Sequence, residues 1–139
     1  MTQQQAFKIP EFEEEALEAL MYAASLAFKS GKYENAFKVY RGAAAAKPSW
    51  SRAQVGMGAS LYYLGRKQEA EAAYRQALAL NDQDQEAHLY LGELIWNERK
   101  DAAGAETHLQ TAFRIQPLNK FGERARFILS TIKPKADAP

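Results

Sequence analysis

Small apolar residues return along this chain at a fixed spacing of about 34 residues. Each copy of the pattern places an alanine, a larger residue and a second alanine at helical spacing. The third copy follows the second after 35 residues instead of 34. The matching positions are Ala36, Tyr40 and Ala43; Ala70, Tyr74 and Ala77; and Ala105, Leu109 and Ala112. A fixed period of this length is typical of a helical repeat protein, in which each copy is one supersecondary unit.

The upstream half of each copy repeats as well. Ala24, Gly58 and Gly92 recur at the same spacing, and each follows an apolar residue. Small residues let paired helices approach closely, so we expect the larger residue of the downstream pattern to fill the adjoining space. Because the upstream half keeps its spacing, the extra residue of the third copy must lie between its two helices, within residues 97–104.

Turn signals divide each copy into two helices. Gly31 and Gly65 suit the left-handed position that ends a helix, and Pro48 and Pro117 follow the second helices of the first and third copies. Pro10 suits the first position of the first helix, where four early glutamates complement the helix dipole. The predicted repeats cover about residues 17–50, 51–84 and 85–119.

One more helix is predicted after Pro117, over about residues 120–133, with its apolar residues on one face. These residues are Phe121, Ala125, Ile128, Leu129 and Ile132. The last repeat of a solenoid would otherwise expose its apolar flank, so we expect this helix to cap the stack. Residues 1–134 then form a single domain, and residues 135–139 are expected to be a disordered tail.

Composition narrows the functions open to such a fold. Eighteen basic and seventeen acidic residues give a net charge of +1, so we predict binding neither to nucleic acid nor to a membrane. The chain has no cysteine, which excludes thiol chemistry and the common zinc sites. Its N-terminus has no apolar signal segment, and no apolar run reaches the length of a membrane helix, so a cytoplasmic location is expected.

No group of residues predicts catalysis or metal binding. His88 and His108 are the only histidines, and they are expected on different helices, outside any known ligand spacing. The Gly56-x-Gly58 pair lies within a predicted helix and follows no strand, so it is not a nucleotide-binding loop. We therefore predict no catalytic residues, no metal site and no cofactor, and a protein that is not an enzyme.

A second apolar stripe runs along the first helix of each copy. Its recurring positions are Met21, Val55 and Leu89, then Phe28, Tyr62 and Trp96, and each set follows the repeat spacing. In the first helix the opposite stripe, Leu17, Leu20, Ala24 and Ala27, is expected to face the stack, which would leave the second stripe exposed. The alternative is that the second stripe only packs against neighbouring helices.

If the second stripe is exposed, it forms the floor of a peptide-binding groove. The predicted groove residues are Met21, Tyr22, Ser25, Phe28, Lys29, Arg52, Val55, Ala59, Tyr62, Tyr63, Leu89, Tyr90, Glu93 and Trp96. Three helices packed 8 to 10 Å apart span about 20 to 30 Å, which matches roughly six to nine residues of extended chain.

These patterns resemble the tetratricopeptide repeat, in which apolar-x2-Leu-Gly-x2-Tyr is followed by Ala-x3-Phe and a final Pro. The resemblance covers residues 17 to about 118, and the leading Trp of the pattern is replaced by Leu20, Gln54 and His88. It implies an all-α fold of three tandem helix-turn-helix repeats, stacked as a right-handed solenoid and closed by a C-terminal capping helix. The first helix of each repeat would line the concave side.

The chain also resembles the class II translocator chaperones of bacterial type III secretion. The resemblance rests on the segment from Leu26 to Ala36, LAFKSGKYENA, and on Ser51-Arg-x4-Met-Gly-Ala59. It implies that Met21 and Phe28 receive an extended apolar segment of a client polypeptide. Only a short segment precedes the first repeat, which begins at Leu17, so the longer N-terminal arm with which some members dimerise is expected to be shortened or missing.

The residue types at the groove positions indicate which other partners could bind. The carboxylate clamp of some tetratricopeptide domains uses Lys, Arg and Asn, whereas the corresponding positions here are Ser25, Ala59 and Glu93, so no clamp is predicted.

A generic scaffold that docks folded partners through its convex side is the alternative function. Residues 1–19 carry a charge of −4 and residues 120–135 a charge of +4, which suggests a weak head-to-tail homodimer as a hypothesis.

Overall fold

The computed structural model describes residues 11–132, and within them it contains seven α-helices and no strand. The helices are α1 (Glu11–Lys29), α2 (Tyr33–Ala46), α3 (Ser51–Tyr63), α4 (Lys67–Leu80), α5 (Gln85–Arg99), α6 (Ala102–Ile115) and α7 (Lys120–Ile132). The helix start predicted at Pro10 and the tail predicted for residues 135–139 lie outside the described residues. No described helix is long and apolar enough to cross a membrane.

The helices stack as three antiparallel pairs followed by a single helix. Each helix packs mainly against the next one along the chain, while α1 also contacts α3 and α3 also contacts α5. The first helices of the three pairs therefore form one layer, which is the concave side of the solenoid. Helix α7 packs against both helices of the last pair. The predicted right-handed solenoid of three helix-turn-helix repeats with a C-terminal capping helix is confirmed.

The predicted small residues lie where the paired helices are closest. Ala24, Ala70 and Ala105 have no exposed surface. A Cβ atom added to Gly92 of α5 would lie 2.7 Å from the side chain of Leu109 in α6. The side chain of Leu109 thus fills the space that the glycine leaves, as the repeat pattern predicts.

The turns between paired helices explain the extra residue of the third repeat. In the first two repeats, Gly31 and Gly65 adopt positive φ angles of 78° and 83°, and three residues separate the helices. In the third repeat α5 continues to Arg99, only two residues separate it from α6, and Lys100 takes the left-handed position with φ 53°. The extra residue therefore lengthens a helix within residues 97–104.

Most of the core lies in the second half of the stack. Large buried side chains come from α5, including Leu89, Leu91 and Ile95, and α7 adds Ile128 and Ile132 to the same cluster. A smaller cluster joins α1, α2 and the start of α3. The contribution of α7 to the main cluster agrees with its predicted capping role.

The side of α1 that faces the stack differs from the prediction in one residue. Leu17, Met21 and Ala24 are buried, whereas Leu20 is 43% exposed. Helix α1 is the first of the described stack and contacts only α2 and α3, so its outer side has no neighbouring described helix. Leu20 lies on that outer side, because one residue turns a helix by about 100°. Met21, and not Leu20, therefore anchors α1 against the stack.

Candidate peptide-binding groove

An open cavity of about 530 Å³ lies on the concave side of the solenoid. Its lining comes mainly from α1, α3 and α5, and the first turn of α7 adds two residues to it. The lining residues are Glu18, Met21, Tyr22, Ser25, Phe28, Lys29, Tyr40, Arg52, Val55, Gly56, Ala59, Asp84, Glu86, Tyr90, Lys120 and Phe121. Nine of the fourteen predicted groove residues line this cavity: Met21, Tyr22, Ser25, Phe28, Lys29, Arg52, Val55, Ala59 and Tyr90.

A smaller cavity of about 110 Å³ continues the groove along α3 and α5. Its residues are Phe28, Ala59, Tyr62, Tyr63, Tyr74, Tyr90, Glu93 and Leu94. This set adds three further predicted residues, Tyr62, Tyr63 and Glu93. Phe28, Ala59 and Tyr90 line both cavities, so the two spaces meet at these side chains.

Two predicted groove residues lie in neither cavity. Leu89 is only 2% exposed and belongs to the main core cluster, and Trp96 is half-buried against the same cluster. Both belong to α5, which packs against α7. The equivalent residues Met21 and Val55 are also buried, although they line the larger cavity. Leu89 and Trp96 therefore lie outside the two cavities, in or against the core cluster that also contains residues of α7.

The capping helix also contributes to the groove, which the sequence reasoning missed. Lys120 and Phe121 in the first turn of α7 line the larger cavity, as does Tyr40 of α2. The apolar face predicted for α7 included Phe121, but the groove position of that residue depends on the angle at which α7 returns over α5. The spacing of residues alone holds no signal for that angle.

Aromatic rings form a connected wall between α1 and α3. The ring of Phe28 meets the ring of Tyr63 edge-on at 5.5 Å, and Tyr63 stacks on Tyr33 at 4.9 Å between centroids. Tyr63 is nevertheless 60% exposed, and Tyr22 is 67% exposed. The wall therefore presents ring surface to solvent beside the groove as well as packing within the fold.

Charged groups in the larger cavity are balanced. The lining contains three acidic and three basic residues: Glu18, Asp84 and Glu86, and Lys29, Arg52 and Lys120. The guanidinium of Arg52 lies 3.1 Å from the carboxylate of Glu18, and this pair joins α1 to α3. At the edge of the smaller cavity, Glu93 forms an ion pair at 2.7 Å with Arg124 of α7. The groove therefore offers no surplus charge of either sign.

Burial raises the pKa of several groove residues. It raises the pKa of Glu86 above the usual carboxyl value, and the nearby negative charge of Asp84 raises that pKa further. Burial also raises the pKa of Tyr74 and of Tyr90 above the range usual for a phenol. A phenol is neutral at physiological pH even with its ordinary pKa, so Tyr74 and Tyr90 add no charge to the groove.

The structure brings together the two histidines that the sequence reasoning left apart. The Nδ1 atoms of His88 and His108 lie 3.1 Å from each other, across the pair formed by α5 and α6. Burial lowers the pKa of His108, and the neighbouring His88 lowers it further. Neither residue lines the two cavities. Whether the two histidines face each other depends on where α5 ends and α6 begins, and the sequence pattern does not fix that turn.

The stacked helix pairs and the concave groove define a helical-repeat protein of the class that serves as a protein-interaction module. The family model of the tetratricopeptide repeat matches residues 7–49 and 55–119, and the chain belongs to this family. No curated protein sequence matches the chain.

Solved structures of the same fold include a secretion chaperone. The Yersinia enterocolitica type III secretion translocator chaperone SycD is 25% identical, with 93% of this chain and 89% of that chain covered and a TM-score of 0.76. SycD in complex with a peptide of the translocator YopD is 24% identical, with 88% and 96% covered and a TM-score of 0.75. The first tetratricopeptide repeat domain of Spaghetti (RPAP3), bound to the HSP90 peptide SRMEEVD, is 22% identical, with 84% of this chain and 89% of that chain covered and a TM-score of 0.73.

Proposed function

We propose that this chain holds an extended apolar segment of a client polypeptide in its concave groove, as a translocator chaperone of type III secretion. The observation that carries the proposal is the exposed, ring-lined groove formed by the two cavities, which meet at Phe28, Ala59 and Tyr90. The fold does not bury these rings completely, since Phe28 and Tyr90 are half-buried and Tyr22 and Tyr63 are exposed. Exposed apolar grooves of this kind mark binding sites.

Affinity in such a groove comes from burial of apolar surface on both partners. Each Å² of apolar surface removed from water stabilises a complex by roughly 25 cal/mol, before the cost of ordering the peptide is counted. An extended segment offers alternate side chains to the pockets, which gives specificity without a folded partner. The smaller cavity, at about 110 Å³, has room for a single anchor side chain.

The balanced charge of the groove favours an apolar ligand over an acidic one. Arg52, which could have bound a terminal carboxylate, is engaged with Glu18. The position on α5 that faces the smaller cavity is Glu93, an acidic residue. An acidic peptide like the one bound to Spaghetti (RPAP3) would meet no surplus positive charge here.

The comparison with SycD supports the finer assignment. SycD is a translocator chaperone, and one of its structures contains a peptide of a translocator. A protein with this role would act in the bacterial cytoplasm, where it covers a membrane-active segment of the client until secretion. No catalytic step and no cofactor are needed for that role.

The second helices of the repeats argue against the scaffold alternative. Among the described residues, the large exposed hydrophobic side chains lie on α1, α3, α7 and the α6–α7 connection, and none lies on α2, α4 or α6. The second helices line the convex side, so that side offers little apolar surface to a folded partner. The concave side and the edges of the stack are the better candidates for binding.

Co-expression with candidate clients tests the proposal. The candidates are proteins encoded next to this gene that carry hydrophobic membrane-inserting segments, and co-purifying proteins are identified by mass spectrometry. We expect a translocator-like client to co-purify, and the Phe28→Ala/Tyr62→Ala variant to lose it while keeping its helical circular dichroism. Phe127→Ala is the control, because Phe127 is 61% exposed on α7 and lines neither cavity. Equal recovery of the client by the double variant would refute the groove as the binding site.

A further inference from the structure

The two histidines form a contact between α5 and α6 on a side that the groove does not use. His88 lies near the start of α5 and His108 in the middle of α6. Their Nδ1 atoms are 3.1 Å apart, and the ring planes are inclined by 33°. Both residues are half-buried, so neither side chain is enclosed in the core.

Hydrogen bonding fixes the protonation of the pair. The Nε2 atom of His88 lies 2.8 Å from the backbone carbonyl oxygen of Asp82, which can only accept a hydrogen bond, so Nε2 carries the proton. In the neutral ring, the lone pair of His88 then lies on Nδ1 and points at His108. His108 donates its Nδ1–H to that lone pair, which accounts for the short contact.

We propose that His88 and His108 together bind a divalent transition-metal ion, of the zinc, nickel or copper(II) class, between their Nδ1 atoms. Imidazole nitrogen binds such ions at about 2.0 to 2.1 Å, so two nitrogens 3.1 Å apart would subtend an angle of about 95 to 102° at the metal. That angle lies between the octahedral value of about 90° and the tetrahedral value of about 109°. The two nitrogens are thus already at the separation that a shared metal needs.

The hydrogen bond to Asp82 supports this role. Metal-binding histidines usually donate their other ring N–H to a carbonyl or carboxylate, which sets the tautomer and aims the ligating nitrogen. His88 already has this arrangement without metal. To face a shared ion, His108 moves its proton from Nδ1 to Nε2 by exchange with water, and both rings turn so that their lone pairs point about 40° away from the line between the two nitrogens. No net proton is released by that step.

Neighbouring charge does not oppose the ion strongly. Arg75 of α4 is the positively charged residue that lowers the pKa of His108. Its guanidinium forms an ion pair at 2.9 Å with the carboxylate of Glu71. Within residues 11–132 no third histidine, cysteine, aspartate or glutamate joins a metal-binding group. Water would therefore complete the coordination, and the ion would exchange readily.

Metal binding by His88 and His108 would be independent of the proposed client-binding role. The metal would join α5 to α6 in the folded chain only, so it should raise the melting temperature in proportion to its concentration. Because neither histidine lines the groove, the ion and a client peptide could be bound together.

Titration of the tag-free full chain with ZnCl₂, NiCl₂ and CuCl₂ tests the site, by calorimetry and by thermal melting. We expect one ion per chain for at least one of the three metals, and a melting temperature that rises with metal and falls back after EDTA. His88→Gln and His108→Gln should each weaken binding at least tenfold, whereas Gln110→Ala, an exposed change on α6, should not.

X-ray absorption of the loaded protein gives a second measurement, with two imidazole nitrogens expected in the first coordination shell. Absence of binding by the wild-type chain to all three metals would overturn the proposal. Binding that both histidine variants retain at wild-type strength would overturn it as well. The melting temperatures of the metal-free variants show that both are folded, so that a loss of binding can be assigned to the lost ligand.

Discussion

The ring of Tyr74 lies so close to the α-carbon of Gly58 that a methyl group added to this glycine would come within 2.5 Å of the ring. The backbone carbonyl oxygen of Ala70 would be 3.2 Å from the same methyl group, so α3 and α4 leave no room for a side chain here. The same relationship recurs between Gly56 and the ring of Tyr40. Helix packing in this stack thus depends on a glycine of one helix facing a ring of a neighbouring helix.

Gly58→Ala should therefore destabilise the protein by about 1 to 3 kcal/mol, because the added methyl group forces Tyr74 away from its position. Urea unfolding followed by circular dichroism measures the change. Gly42→Ala is the matched control, since Gly42 is exposed in α2 with nothing within 4 Å of the added methyl group. The control should raise stability by roughly 0.5 to 1 kcal/mol, because alanine favours helix. Equal effects of the two changes would contradict this packing.

The fold was predictable because the small residues that permit close packing have to recur at the repeat length. Ala70 and Ala105 have no exposed surface, and the repeat pattern alone identifies both positions as points of close helix packing. The turn glycines Gly31 and Gly65 were predictable for a similar reason, because a positive φ angle strongly favours glycine. Local chemistry and the repeat length both pointed to the same helix pairs.

The groove was only partly predictable, because its ends depend on which helices have a neighbour. Met21, Val55 and Leu89 occupy equivalent positions in the repeat, yet only Met21 and Val55 reach the cavity. Leu89 is buried in the main core cluster to which α7 contributes. The prediction treated all repeats as equivalent, whereas the last repeat packs against a cap and the first has a free outer side. That difference arises from tertiary packing and has no counterpart in the spacing of residues.

The capping helix should be a large source of stability. Ile128 of α7 is 6% exposed within the main cluster, so Ile128→Ala should lower the free energy of unfolding by about 2 to 5 kcal/mol. The neighbouring Phe127→Ala removes a larger side chain that is 61% exposed, and it should change stability by less than about 0.5 kcal/mol. Thermal melts of the two variants provide the comparison. A larger loss from Phe127→Ala would mean that α7 packs with a different face.

Filling the groove should block client binding without disturbing the fold. Ala59 of α3 is half-buried and lines both cavities, so the indole of Ala59→Trp would occupy the space where they meet. We expect co-purification of the client to fall at least tenfold, with a helical circular dichroism spectrum like that of the wild type. Ala72→Trp places the same side chain on an exposed position of α4 and should leave binding unchanged. Client binding that survives Ala59→Trp would place the peptide elsewhere.

The raised pKa of Glu86 predicts a pH dependence of stability. Burial and the charge of Asp84 favour the protonated carboxyl in the folded chain, while Lys120 and Arg52 oppose this without reversing it. The folded state therefore holds more protons than the unfolded state between the ordinary carboxyl pKa of about 4.5 and the raised value. The contribution of Glu86 to stability is then complete below pH 4.5 and is lost as the pH rises through the raised pKa.

Glu86→Gln removes this loss, so the variant should gain stability relative to the wild type between pH 4 and pH 7.5. Urea unfolding of both proteins at the two pH values measures the difference, and carboxylates common to both cancel in the comparison. Glu106→Gln, a carboxylate-to-amide change in the second turn of α6 and outside both cavities, is the control. A Glu86→Gln variant that loses stability relative to the wild type as the pH rises would show that the carboxylate of Glu86 is stabilised in the groove. Its pKa would then be lowered by Arg52 and Lys120, and the charge balance of the groove would have to be revised.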